Sequence, residues 1–216
     1  LAARAEQLPD YNITLVRPNG APESKDHVWG FWSDETLDDA THLARGTWHR
    51  WDIITPKRRI TMSSKSMPYH AIKRNDWTAH CQNLAKSAGV KFIDEDNWQI
   101  NDSSTIFDSR PPLVPDNCIL QHFHGLEIKT NTPVFEDKTA ILMDFRVDQS
   151  KGMHFIYLLP YSSTEALVES TIFSTELADE QFYISTIDNY LAEYYEVEEY
   201  EITHREKGVI PLGKLS

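Results

Sequence analysis

Three acidic residues have apolar residues on one or both sides in strand-like runs: Glu169 in Leu167-Val168-Glu169-Ser170-Thr171, Asp144 in Met143-Asp144-Phe145-Arg146, and Glu127 in His124-Gly125-Leu126-Glu127-Ile128. A carboxyl drawn into such surroundings loses the water that favours its charged form, so its pKa rises and it stays protonated near neutral pH. That is the state a general acid needs. For Glu169 the competing reading is a strand-edge Glu that pairs with an Arg or points to water, as most Glu side chains do. Asp144 and Arg146 lie two apart on a strand pattern and share a face, so an ion pair is the competing reading there. Asp108 and Arg110, in Phe107-Asp108-Ser109-Arg110, close another strand-like run, from which they either face a ligand or cap and pair locally. His122 and His124 also share a strand face, but no third ligand completes a metal pattern, and ordinary polar residues are the preferred reading. Cys81 and Cys118 form no CxxC pair, which argues against a disulfide framework or structural zinc. No GxSxG signals a serine nucleophile.

The elements that must position these residues belong to a chain of ordinary globular composition. Its 216 residues are 40% hydrophobic and 25% charged, enough for one large domain or two small ones. A formal charge of −12 argues against a nucleic-acid partner, because no surplus of Lys or Arg is available to neutralise phosphates. Lys57-Arg58-Arg59 is the one dense basic cluster, and it reads as a solvated loop, with contact to an anionic lipid surface as the alternative. No apolar run approaches the ~20 residues needed to cross a bilayer, and no signal peptide is visible.

Along the chain, Leu1 to Leu8 reads as the end of a helix, stopped by Pro9-Asp10 before the strand Ile13-Thr14-Leu15-Val16. In a dinucleotide-binding βαβ unit a Gly-rich turn precedes that helix; those residues are not in this sequence. The strand runs into Arg17-Pro18-Asn19-Gly20 where a ribose-binding carboxylate commonly stands. Residues His27 to Trp51 carry Trp29, Phe31, Trp32, Trp48 and Trp51, which suit either a cleft wall or a subdomain core. A helix is predicted from near Tyr69 to Ser87, stopped by Gly89, followed by the strand Val90-Lys91-Phe92-Ile93 and a strand over Ser103 to Asp108. Pro111, Pro112 and Pro115 place the domain junction after it. Four β-rich runs follow, Ile119 to Ile128, Thr139 to Asp148, His154 to Leu159 and Ala166 to Phe173, which an antiparallel sheet explains economically. A helix over about 178–193 carries Ile184, Ile187 and Leu191 on one side, and the acidic stretch Glu196 to Glu201 reads as a solvated face.

Five segments recur in fixed order: Phe107-Asp108-Ser109-Arg110, Gln121-His122-Phe123-His124-Gly125, Met143-Asp144-Phe145-Arg146, Phe155 to Pro160, and Ala166 to Thr171. With Glu206-Lys207-Gly208-Val209-Ile210-Pro211-Leu212 near the end, this series resembles the flavin-binding lycopene cyclases, beta or epsilon, of bacterial type. The resemblance implies an α/β fold of aromatic-hydroxylase-like flavoprotein architecture. A Rossmann-like FAD-binding domain, incomplete at its N-terminus, would span residues 1–112, with an aromatic-rich insertion at about 25–67. A mostly antiparallel sheet domain would bind substrate over 113–205, and 206–216 would return toward the flavin.

The reaction so implied is an isomerisation of the intramolecular-lyase type, the cyclisation of lycopene end groups in carotenoid biosynthesis. It protonates a terminal alkene, holds a tertiary cation while an internal double bond attacks it, and removes a proton to set the ring. Alkenes are very weak bases, so such a site needs a well-placed acid in dry surroundings, with negative charge or π density near the cation. The resemblance makes Glu169 the leading acid; Asp144, lining the cavity near the substrate end, is the second choice of carboxylate and Glu127 the third. Many members of the family carry a second acid directly after the first, where this chain has Ser170. Asp108, Arg110, Glu206 and Gly208 would face the cofactor. That cofactor is reduced FAD used without net redox, with NAD(P)H as a candidate reductant of the flavin. The partner would be lycopene or a related acyclic carotenoid, reached by peripheral membrane contact for which Trp29 to Trp32 is a candidate patch. The location would be cytoplasmic, or plastid in a plant or alga. The alternatives are a redox flavoenzyme of the same fold, a hydroxylase or geranylgeranyl reductase, and a carotenoid-binding module without catalysis.

Overall fold

The structure is a computed structural model that describes residues 2–20, 26–33, 35–99, 105–109 and 118–212. In chain order its elements are β1 (Thr14–Arg17), β2 (Val28–Trp32), α1 (Asp38–His42), β3 (Gly46–Trp48), β4 (Arg50–Thr55), β5 (Arg58–Ser63), β6 (Tyr69–Lys73), α2 (Arg74–Ser87), β7 (Lys91–Asp94), β8 (Leu120–Lys129), β9 (Thr139–Asp144), β10 (Met153–Pro160), β11 (Glu165–Ser174), α3 (Glu180–Tyr195) and β12 (Glu201–Pro211). Short 3-10 turns occupy Ala2–Gln7, Glu35–Leu37 and Glu95–Asn97. Two units emerge: Leu1–Asp26 with Lys73–Pro111, and His27–Ile72 with Pro112–Ser216.

The smaller unit pairs β1 with β7 in parallel, in register from Thr14 opposite Lys91 to Arg17 opposite Asp94. Its small core is built from small side chains. Ala5 and Ala85 are buried with Val90, and Ala2, Ile13 and Ala88 pack around them, so the N-terminal turn approaches α2 closely. Gly89, at φ +76°, ends α2 in the left-handed conformation that glycine adopts without penalty. The predicted helix from Tyr69 starts five residues late, because Tyr69–Lys73 is strand β6. Tyr69, His70, Ala71 and Ile72 are all buried there, and a short, continuously buried run carries no period that separates strand from helix. The expected strand over Ser103 to Asp108 is not seen in its described part, since residues 105–109 are irregular and exposed.

The larger unit is a seven-stranded sheet in the order β12-β8-β11-β10-β9-β4-β5, antiparallel except where β4 pairs with β9. The segment 25–67, read from the sequence as an insertion in the first domain, contributes here: its β4 and β5 extend this sheet, and its β2 and β3 join β6, which follows the segment, in a second sheet of order β2-β6-β3. Likewise 206–211, read as a return toward the first domain, continues β12 against β8.

Both faces of the central strands of the seven-stranded sheet are covered within the unit. Alternation sends Leu126, Ile128, Ile156, Leu158, Ala166 and Val168 to one face, where they pack with Ile187, Tyr190 and Leu191 of α3. Tyr183, Ile187, Tyr190 and Leu191 recur every three or four residues and bury one side of that helix. Glu196 then turns the chain at φ 56° as Val197 N–H bonds back to the Leu191 carbonyl. On the other face Ala140, Leu142, Leu159 and Leu167 pack with Trp48, Tyr69 and Ala71 of the three-stranded sheet.

One irregularity matters for the site. Ile156 of β10 stands opposite Asp144, yet Leu158 stands opposite Ile141, so two steps along β10 span three along β9. This bulge reverses the facing of the end of β9. Ala140 and Leu142 face the three-stranded sheet, whereas Ile141 and Asp144 face α3.

Candidate functional site

Three antiparallel strands line up a row of residues on the face toward the three-stranded sheet. Tyr157 of β10 is opposite Glu169 of β11, Glu169 is opposite Gly125 of β8, and Gly125 is opposite Glu206 of β12. The centre of the row has no side chain. A Cβ on Gly125 would lie 2.9 Å from Glu206 Cγ and 3.2 Å from Glu206 Oε1, so only glycine lets the two carboxyls meet across β8. Both are buried, and their side chains hydrogen-bond to each other. Thr171 Oγ1 donates to Glu169 Oε1 at 2.6 Å, and the Val28 amide donates to Glu206 Oε2 at 2.8 Å.

The electrostatics follow from that enclosure. Burial first, and the charge of Glu206 second, push the Glu169 carboxyl up to about 8. Burial also raises Glu206, to about 6, a smaller rise because the Val28 amide favours its charged form. Such a pair titrates as a unit, with one proton between the two carboxyls near neutrality. Tyr69, Tyr157 and Tyr161 are all raised, chiefly by burial, and stay as phenols. Tyr161 Oη is buried with no hydrogen-bond partner among the described residues.

A stability prediction follows from the sign of these shifts. Above the ordinary carboxyl value of 4.5 the unfolded chain has released both protons, while the folded chain keeps one up to about pH 8. The native state therefore binds more protons in that window, and stability falls as pH rises through it. Thermal unfolding followed from about pH 5 to about pH 8.5 should give a falling midpoint in the parent protein and a flatter profile in Glu169→Gln. Equal slopes in the two would contradict an enclosed, protonated carboxyl.

The other predicted residues are distributed as follows. Glu127, buried in the next row of β8 opposite Leu167, is ion-paired with Arg45, whose guanidinium lies 4.1 Å over the Tyr161 ring. Asp144 is fully buried on the opposite face of the sheet. Its Oδ1 accepts from Arg146 N at 3.1 Å and Nε at 2.9 Å, and its Oδ2 accepts from Arg146 Nη2 at 2.6 Å and Tyr190 Oη at 2.8 Å. The structure thus brings Glu169 and Glu127 to one face and holds Asp144 apart under α3, in the ion pair that the two-residue spacing offered as its alternative.

Ser170 also faces α3, with Oγ 2.8 Å from His154 Nε2, so the position after Glu169 does not share its surroundings. His122 lies 2.6 Å from Tyr183 Oη and 2.8 Å from Ser174 Oγ, and His124 stacks on Tyr183. Among the described residues no group of three His, Cys, Asp or Glu is arranged to hold a metal. Asp108 is exposed in the irregular segment, and Arg110 lies outside the described residues. Gly208 makes room for the Phe123 ring, whose Cζ would be 2.6 Å from a Cβ there.

Sequence reasoning missed the pairing of Glu206 with Glu169, the Arg45–Glu127 ion pair, and the burial of Tyr69, Tyr157 and Tyr161 near these carboxyls. The available signal was Gly125, a glycine inside a strand pattern, which marks close approach across a sheet.

Comparison with known proteins decides the family. The model of the family described as lycopene cyclase protein matches residues 1–216. The chain belongs to the lycopene cyclase family. This family member is 35% identical over 228 residues to a lycopene beta-cyclase of Paracoccus sp., covering 99% of this chain and 57% of that protein. It is 24% identical over 191 residues to a lycopene beta-cyclase of Pantoea ananas, covering 77% of this chain and 46% of that protein. The chain thus spans about half the length of the curated relatives it matches.

Solved structures give the fold of this lycopene cyclase family member. A geranylgeranyl bacteriochlorophyll reductase-like protein from Thermoplasma acidophilum superimposes at a TM-score of 0.67 with 12% identity, over 99% of this chain and 63% of that one. A flavin-dependent halogenase from Xanthomonas campestris gives 0.58 with 9% identity, over 97% and 58%. The mixed α/β architecture with a large, mostly antiparallel sheet that the resemblance implied is therefore the fold of this chain, shared with these proteins.

Proposed function

We propose that the protein containing this chain is a lycopene cyclase that closes end-group rings by acid catalysis without net redox, with Glu169 as the proton donor. The observation that carries the proposal is the Glu169 carboxyl enclosed across Gly125 from Glu206, where burial first and the Glu206 charge second raise it well above the usual carboxylate range. An alkene accepts a proton only from an acid that solvent does not neutralise, and this carboxyl is removed from solvent. Tyr69 and Tyr157 face it, and Trp48, Leu159 and Leu167 pack with them on the same side of the sheet, apolar and aromatic surfaces that suit a polyene and would offer π density to a cation. Glu127 with Arg45 adds a fixed, balanced charge pair on the same face.

FAD is proposed as the cofactor, in keeping with the fold. The parallel β1–β7 pair with α2 is the frame against which a dinucleotide rests, and Asp108 is this chain's candidate contact; Arg17 ends β1 in place of a ribose-binding carboxylate. Reduced FAD, with NAD(P)H as the candidate reductant, would supply negative charge that favours a cation without net redox. Contact with a membrane is proposed for access to a hydrocarbon substrate; no helix among the described residues is long and apolar enough to cross one.

The test is expression of the intact protein in a lycopene-accumulating host, followed by chromatography and mass measurement of the pigments. A ringed product of the same mass as lycopene is the expected result. A product differing by two hydrogens or by an oxygen would replace the proposal with a redox reaction of the same fold, and unchanged lycopene held by the protein would leave a binding module.

A further inference from the structure

The proton that Glu169 delivers has a second owner. Glu206 reaches the same spot from β12, its approach is open only because Gly125 lacks a Cβ, and its other oxygen-bound partner is the Val28 amide of the covering sheet. Glu169 in turn accepts from Thr171 through Oε1, and its other side-chain partner is Glu206 across β8. We propose that Glu206 is a positioning residue for proton delivery: it accepts the hydrogen bond of the Glu169 carboxyl across Gly125, so that the pair shares one proton and presents it from Glu169. This rests on the reading of Glu169 as the acid.

The charged and titratable groups around the pair fit this arrangement. Tyr157 from β10 and Tyr69 from β6 face Glu169 as neutral phenols. Glu127, Tyr161 and His204 face Glu206, and Arg45 balances Glu127. No cation touches Glu169 itself among these contacts, so the partner that holds its proton in place is the neighbouring carboxylate.

The chemistry balances within the pair. The Glu169 O–H bond breaks as a C–H bond forms at the alkene terminus, which leaves two carboxylates beside a tertiary cation. The internal double bond then closes the ring. Loss of a proton from carbon next to the new cation breaks a C–H bond and forms an O–H bond on the pair, restoring its single proton. No electron, water or further reactant is consumed.

The experiment follows carboxyl protonation by infrared absorption of the C=O stretch through a pH titration of the intact protein. Parent spectra are compared with Glu206→Gln, Glu206→Asp, Gly125→Ala and Glu169→Gln, and cyclisation is measured at each pH. In the parent the protonated carboxyl removed by Glu169→Gln should persist to about pH 8. In Glu206→Gln, which keeps the acceptor for the Val28 amide, and in Gly125→Ala, which keeps both acids but wedges them apart, that band should vanish at least one pH unit lower. The alkaline limit of cyclisation should move with it, and Glu206→Asp should recover part of the shift. Folding is followed by circular dichroism, and Glu206→Gln carries the test if Gly125→Ala misfolds. If the band and the pH profile stay where they are in Glu206→Gln while Glu169→Gln still abolishes cyclisation, the shared proton is wrong and the acid assignment stands. If Glu169→Gln removes the band but not cyclisation, the acid assignment is what fails.

Discussion

Glu169→Gln should lower ring formation by about two to four orders of magnitude, the range that loss of a positioned general acid costs. Gln has nearly the volume of Glu and keeps an oxygen for the Thr171 hydroxyl, so the strand and the apolar packing around it are preserved. What it lacks is a transferable proton. Glu206 cannot replace it in place, because its proton affinity is lower and one of its oxygens is committed to the Val28 amide. The variant should still bind lycopene, so pigment extracted with the purified protein should remain while ringed product disappears. Cyclisation at the parent rate in Glu169→Gln would end the assignment of the acid.

Asp144→Asn should act on stability instead. The Asp144 carboxylate is fully buried and accepts from Arg146 and Tyr190, so it clasps the end of β9 to α3. Neutralising it leaves the Arg146 guanidinium, 3.8 Å over the Tyr194 ring, without its counter-charge. The carboxylate is buried but the Arg146 side chain keeps 29% exposure, so water offsets part of the loss and the cost is about 1–3 kcal/mol. For a chain of this size that lowers the melting temperature by about 2–12 °C. The rate per folded molecule should hold within about tenfold at a temperature where the variant is folded. A loss of cyclisation comparable to that of Glu169→Gln, in a variant of unchanged melting temperature, would return Asp144 to the chemistry.

The sequence carried the alternating pattern that makes β8, β10 and β11 strands, and the spacing of Ile184, Ile187 and Leu191 that makes α3 a helix. It carried Glu169 as a carboxyl inside an apolar strand. It did not carry the bulge in β9, because two-residue alternation assigns Asp144 to the face of Ala140 and Leu142, and the extra residue is visible only in the pairing with β10. The parallel pairing of β4 with β9 was hidden as well, since a contact between strands about ninety residues apart leaves no local pattern in either strand. Glu206 was read as a cofactor contact from its motif alone. Its register opposite Gly125 depends on a second bulge, between Ile202 and His204, which no periodicity announces.

The outermost strands of the seven-stranded sheet have a consequence for solubility. Strand β5 forms one rim and is exposed along its length, with Arg58 and Arg59 at its start and Arg59 tethered to Asp52. Strand β12 forms the other, interrupted by its bulge, carrying Arg205 and Lys207, and closed by Pro211, which has no amide to donate. Among the described residues, a foreign strand joining either end of this sheet would have to dehydrate cations or pair with a broken ladder, which disfavours edge-to-edge association there.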